Sequence, residues 1–366
     1  MLEIREAGTC IYDLAALGSV NERAIPEGRE PSEWTNRFLF EATGAEYNVV
    51  CGPANWGKST AMFPARVLNS PPGRRIIRAI RSRNITPIYK DCVHNGITGP
   101  RQAIMWSDLA VGGRGPKVYY DRAEEAGAML EPGDFDWDHY FADEGVRWVH
   151  VTGLFMALSP TTGELVLEMA RAAKKAGTVV SVDLNYREAL WKANGITQER
   201  FRSIVREATV VVGNEEDFQL PLGIDGPEAG GEGLEGKRDS FVAMLENAIE
   251  EFPNIQLVAT TLREVVSADL HQWGALMWYD GQTYEAPVRE IGVYCRIGGG
   301  DAFAGGLFYG MLEGMEPQDA LNFGWAHGAL LVTYSGDVSR ASSPDDVWRT
   351  ARGEARVSRG PVRPAP

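Results

Sequence analysis

Between residues 147 and 262, short apolar runs alternate with amphipathic stretches, and this rhythm constrains the fold more than any other feature. RWVHVTG (147–153), TVVSVDL (178–184), TVVVGN (209–214) and IQLVATTL (255–262) are continuous rather than alternating apolar runs. Between the first two lies PTTGELVLEMARAAKKAG (160–177), a helical stretch stopped by Gly177, and a second helix is expected over 198–207. Strands that are apolar throughout need cover on both faces, and crossover helices supply it. The pattern therefore predicts βαβ units, a mainly parallel central sheet and a three-layer α/β/α domain.

The rest of the chain departs from this rhythm. A first strand is expected over Tyr12–Gly18, and PGRRIIRAIRSR (72–83) reads as a helix with Ile76, Ile77 and Ile80 on one face. Gln102–Trp106 and Lys117–Tyr120 read as a hairpin with a glycine-rich loop, and Asp280-Gly281 as the turn of another. Segments of about 20–42 and 91–123 are expected to form a small sheet appended to a single domain spanning 1–350. Residues 224–240 read as a flexible glycine-rich insertion and 353–366 as a disordered tail.

Composition excludes several classes. The 366 residues carry 36 basic and 50 acidic side chains, a net charge of −14, which disfavours nucleic-acid binding and obliges any anionic substrate to meet a local basic pocket. The four cysteines, Cys10, Cys51, Cys92 and Cys295, form no C-x-x-C pair and read as reduced thiols. The five histidines lack metal-ligand spacing. With no membrane-length apolar stretch and no signal-like start in MLEIREAGTC, the expectation is a cytoplasmic protein with no membrane partner.

Two glycine-rich segments compete as phosphate loops. Gly52-Pro-Ala-Asn-Trp-Gly57-Lys58-Ser59 matches the P-loop pattern, but Pro64 falls in the second turn of the helix such a loop requires. The other reading makes Gly57 a helix end followed by a strand. In Arg296-Ile-Gly298-Gly299-Gly300-Asp301, three glycines lead into an amphipathic helix whose unpaired amides form an anion site. Asp301 is there either an N-terminal capping carboxylate or a general base.

RIGGGDAFAGGLFYGML (296–312) resembles the G-A-G-D-x-F-x-G-G signature of ribokinase-like carbohydrate kinases. Other pieces resemble the 2-keto-3-deoxygluconate kinases within that family: Gly44-Ala-Glu-Tyr-Asn48, Tyr120-Asp-Arg122, Gly153-Leu154-Phe155, Asp183-Leu-Asn-Tyr-Arg187 with Leu190-Trp191, and Gly336-Asp337. The similarity runs from about residue 12 to 350. It implies an ATP- and Mg²⁺-dependent sugar-acid kinase, with a monovalent cation as a further candidate cofactor, that makes the 6-phosphate of its substrate and dimerises through the small sheet as a lid. Apolar Ile104, Trp106, Val118 and Tyr119 on that sheet fit an interface.

The resemblance also implies the site. Asp301 is the base, and the amides of Gly298, Gly299 and Gly300 are the anion hole. Gly44, Asn48, Tyr120, Leu154 and Asp337 surround the sugar, while Arg122 and Arg187, with Arg23 third, hold its carboxylate. Asn214, Thr261 and Arg263 lie on the ATP side, with helix 317–333 as a further wall, and Asn214, Glu216 or Asp217 reaches Mg²⁺ through water. The chain departs from the family pattern at Gly299 for alanine, at Asp217 for the glutamate of N-x-x-E, and at Ser19 for an acid. Three alternatives remain: a fructokinase or other carbohydrate kinase, a non-catalytic sugar-binding relative, and a P-loop NTPase using Lys58.

Overall fold

A computed structural model describes residues 2–228 and 233–354. The first half of the chain forms β1 (Tyr12–Leu17), β2 (Asn21–Pro26), β3 (Phe38–Thr43), helix α1 (Ala45–Asn55), β4 (Thr60–Phe63), β5 (Ala65–Val67), α2 (Pro71–Ser82), β6 (Ile85–Pro87), β7 (Lys90–Cys92), β8 (Ile104–Asp108) and β9 (Lys117–Asp121). Then come β10 (Val146–Thr152), α3 (Gly153–Met156), α4 (Pro160–Lys175), β11 (Val179–Asp183), α5 (Glu188–Asn194), α6 (Gln198–Val205), β12 (Val210–Gly213), α7 (Glu215–Leu222) and α8 (Leu234–Glu251). The last part forms β13 (Leu257–Ser267), β14 (Leu270–Tyr279), β15 (Gln282–Gly292), α9 (Gly299–Leu312), α10 (Pro317–Leu331) and α11 (Pro344–Ala351).

The apolar runs become a nine-stranded sheet of order β15-β14-β13-β12-β11-β10-β1-β4-β6. Strands β6 to β13 within it are parallel, and the β14–β15 hairpin closes one edge antiparallel. Side chains of β10 are buried along its whole length, as a strand covered on both faces requires. One core cluster joins a sheet face to α4, α6 and α8 through Val166, Met169, Phe201 and Met244. A second joins the opposite face to α1, α2, α9 and α10 through Val50, Ile77, Phe308 and Phe323. The three-layer arrangement expected from the sequence is thus present.

The order reverses between β1 and β10, because the chain winds one way through β4 and β6 and the other way from β10 onward. A crevice opens beyond the carboxyl ends of parallel strands at such a reversal. The ends of β10, β11 and β12 place Leu154, Asp183 and Asn214 there.

A second sheet of four strands, order β3-β2-β8-β9, stands apart. Its strands fall within the two segments expected to form it, except that β7 pairs with β5 in a separate two-stranded sheet. The Gln102–Tyr120 hairpin is present as antiparallel β8 and β9. Phe38 covers Trp106 edge-on at 5.2 Å, whereas Val118 and Tyr119 stay exposed.

Three local expectations are corrected. Residues 234–240 open helix α8 and are not loop, because Leu234, Phe241, Met244 and Leu245 form an apolar stripe that the sheet buries. The P-loop reading of Lys58 fails: α1 ends at Asn55, Gly57 turns the chain at φ +87°, and β4 begins at Thr60. Lys58 is ion-paired with Glu313, and Trp56 is buried against Tyr309, Phe323 and His327. Helix α10 packs behind α9 with Ala320, Phe323 and Ala326 buried, and none of its residues faces the cleft. Of the expected tail, Gly353 and Glu354 follow α11, and 355–366 lie outside the described residues.

Candidate active site

The crevice between the two sheets is a cleft of about 840 Å³. Asp301 stands on its floor in the first turn of α9. Gly298 precedes the helix at φ +86°, a left-handed conformation, and a β-carbon there would lie 2.6 Å from the Asp337 carbonyl oxygen. Only glycine meets both demands. No side chain caps α9, so its first amides keep their hydrogen-bonding capacity for a ligand. A β-carbon at Gly300 would meet only open space, so that amide stands at the cleft surface. The helix dipole adds partial positive charge at the same point.

Acidic groups crowd this floor. Asn48, from α1, donates to Asp301 Oδ2 at 2.7 Å and to Asp337 Oδ2 at 3.3 Å, and Thr43 donates to the same Asp337 oxygen at 2.5 Å. Burial pushes the Asp301 carboxyl up to about 7, and the charge of Asp337 adds to the rise, while the Asn48 hydrogen bond and Arg187 oppose it. Glu46 is likewise raised to about 7 by burial, against the hydrogen bond it accepts from Thr152. Asp183 is raised well above its ordinary value by burial and by the charges of Asp217 and Asp301. Buried carboxyls raised in this way beside one cleft are a feature of sites that handle protons.

Cations come from the walls. Arg187, after β11, is exposed to the cleft and makes no ion pair among the described residues. Arg122 lies across the ring of Tyr120 at 4.8 Å and pairs with buried Glu125 at 2.7 Å. Glu125 also accepts from Ser19 and Asn21, so a glutamate from the β9 end supplies acidity near Ser19. Thr261, Arg263 and Val265 alternate along one face of β13 and line the far end with Arg296. Their strand does not stop at Leu262, where the apolar run ends, because β14 pairs with it as far as Ser267.

Gly44, Asn48, Tyr120, Arg122, Leu154, Arg187, Asn214, Glu216, Thr261, Arg263, Asp301 and Asp337 all line this cleft. Arg23 does not. Its side chain is fully buried, bonded to Ser107 and Cys295 and facing Asp337, so no substrate carboxylate reaches it. Asp217 also lines the cleft, but its oxygens accept from the amides of Asn214 and Tyr186, closing a capping box at the start of α7. Sequence reasoning did not single out Glu46, Asp183 or Arg296. All three sit inside motifs already noticed, GAEYN, DLNYR and RIGGGD, and facing direction was the missing information.

Residues 143–344, more than half of the chain, match the model of the pfkB family carbohydrate kinases. The chain belongs to the pfkB family of carbohydrate kinases. It is 29% identical over 341 residues to the 2-dehydro-3-deoxygalactonokinase of Haloferax volcanii, covering 93% of this chain and 97% of that one. It is 26% identical over 343 residues to the 2-dehydro-3-deoxygluconokinase of Thermoproteus tenax, covering 93% and 94%. A crystal structure of the 2-dehydro-3-deoxygluconokinase of Thermotoga maritima superposes with a TM-score of 0.83 at 29% identity, covering 93% of this chain and 98% of that one. A pfkB kinase phosphorylates a carbohydrate, which excludes the P-loop NTPase.

Proposed function

We propose that this pfkB kinase transfers the γ-phosphoryl group of ATP to the terminal hydroxyl of a sugar acid, with 2-keto-3-deoxygluconate the first candidate. The observation that carries the reading is the disposition of Arg187 and Arg122 on the same cleft as Asp301 and the α9 amides. Guanidinium groups suit a carboxylate, and a chain of net charge −14 gains from placing two of them there. The names of the similar kinases of Haloferax, Thermoproteus and Thermotoga support the same substrate class.

Asp301 takes the hydroxyl proton as the oxygen attacks the γ-phosphorus, and the bond from that phosphorus to ADP breaks. The products are the phosphorylated sugar acid, ADP and a proton. The amides of Gly298–Asp301 meet the negative charge on the transferring group. Asn48 and Asp337 orient the sugar hydroxyls, and Gly44, Leu154 and Tyr120 shape the pocket. The triphosphate lies toward Asn214, Thr261 and Arg263. Glu216, exposed at the first turn of α7, with Asn214 and Asp217 through water, fits Mg²⁺, which keeps several waters and travels with nucleotide phosphates. That ion supplies charge neutralisation at the phosphates.

ATP consumption against 2-keto-3-deoxygluconate, its galactonate epimer, fructose and ribose tests this reading, with the product located by phosphorus NMR. A keto-acid should give the highest kcat/KM. Preference for fructose or ribose over both keto-acids overturns the substrate class. Because Asp301 must be ionised to accept a proton, kcat/KM should fall as pH drops through about 7 and level off above it. A pH–rate profile flat from 6 to 8 contradicts this.

The reading extends to a homodimer through the small sheet. Phe40 and Tyr119 remain exposed on the face of that sheet turned away from the cleft, with half-buried Trp106 between them in register, an apolar surface of the kind that marks an interface. Light scattering should give twice the 40.1 kDa chain mass. A mass near that of one chain across a wide concentration range refutes the dimer.

A further inference from the structure

Among the described residues Arg23 is the largest fully buried charged side chain, and nothing in the proposed chemistry requires it. It lies on β2 of the small sheet at 0% exposure. One of its terminal nitrogens donates to Ser107 Oγ on β8 at 2.9 Å and to Cys295 Sγ at 3.1 Å. The other faces Asp337 Oδ1 at 3.4 Å. Cys295 stands three residues before Gly298, and the Asp337 carbonyl crowds Gly298 itself. One guanidinium therefore touches two strands of the small sheet, the root of the glycine loop and the loop carrying Asp337.

We propose that Arg23 is a positioning residue, which fixes the Asp337 carboxylate, and with it the sugar pocket, relative to the glycine loop. The pair is built poorly for stability. Asp337 Oδ1 and Arg23 Nε and Nη1 make no hydrogen bond among the described residues. A buried ion pair without that support does not recover its desolvation cost, and apolar side chains fill such places as well. Orientation is what it supplies. Asp337 Oδ2 is held by Thr43 and Asn48, and Arg23 stands at the other oxygen, so both rotations of the carboxylate are opposed. Asn48 then carries the constraint on to Asp301 at 2.7 Å. The role also accounts for an arginine that the sequence placed among the substrate ligands and the structure places beneath one of them.

The inference rests on Asp337 as a sugar ligand, and the test separates the two. Steady-state kinetics of Arg23→Met, Arg23→Lys, Asp337→Asn and the Arg23→Met/Asp337→Asn double variant are measured with the carbohydrate that the wild-type enzyme phosphorylates best. Arg23→Met should raise the carbohydrate KM at least ~10-fold, as loss of ligand alignment does, and leave the KM for ATP within about twofold. Arg23→Lys should recover part of the loss by restoring charge. The double variant should be no worse than Asp337→Asn alone, since a positioning residue has nothing left to position. If Arg23→Met proves insoluble, Arg23→Lys and its double variant with Asp337→Asn carry the same comparison. An active enzyme in which Asp337→Asn raises KM but Arg23→Met does not, or in which the two effects multiply, overturns the inference alone. An Asp337→Asn variant with unchanged KM overturns both readings.

Discussion

Asp301→Asn should lower kcat at least ~10²-fold, the lower end for loss of a general base, and leave carbohydrate affinity measured by calorimetry nearly unchanged. The substitution preserves size, and a carboxamide oxygen still accepts the Asn48 hydrogen bond seen at 2.7 Å. What it removes is the ability to take a proton. Because the amides of α9 remain, residual activity from phosphoryl positioning persists. Near-normal turnover removes Asp301 from the mechanism. Lys58→Ala is the paired control: Lys58 is bound to Glu313 away from the cleft, so its loss should leave kcat unchanged.

Arg187→Ala should lower kcat/KM for a keto-acid roughly 10–150-fold, the value of a charge-assisted hydrogen bond of about 1.5–3 kcal/mol, and should affect a neutral sugar of the same length far less. Arg187 gives the cleaner comparison of the two cleft arginines because it is exposed and makes no ion pair among the described residues. Removing Arg122 instead strips buried Glu125 of its cation, so that variant mixes substrate binding with the cost of an uncompensated buried charge. Equal losses on the acid and the neutral sugar with Arg187→Ala refute a carboxylate contact.

The cleft explains why the same acids appear crowded yet ordered. Glu46, Asp183 and Asp301 all carry raised proton affinities, and burial is the first cause in each. Carboxyls that hold their protons more tightly lessen the mutual repulsion of acids packed into one cleft.

The central sheet was legible in the sequence because burial on both faces leaves a one-dimensional trace: β10, β11, β12 and the first half of β13 are mostly apolar, with no polar alternation. The start of α9 was legible for a similar reason. A left-handed residue, a close backbone approach and an unpaired helix end must all be met locally, and Gly298-Gly299-Gly300-Asp301 meets them within four positions. Helix α8 was misread at its first turn because the apolar residues that pin it, Leu234 and Phe241, are separated by charged ones that look like loop. The tertiary structure alone decided which way each charge points. Arg23, Arg122 and Arg187 are the same residue type in equally plausible motifs. One is sealed beneath Asp337, one is bound to Glu125 and one faces the open cleft. A sequence fixes the chemistry of a side chain, whereas its partners come from segments that meet only when the sheets assemble, here across a separation of 314 positions from Arg23 to Asp337.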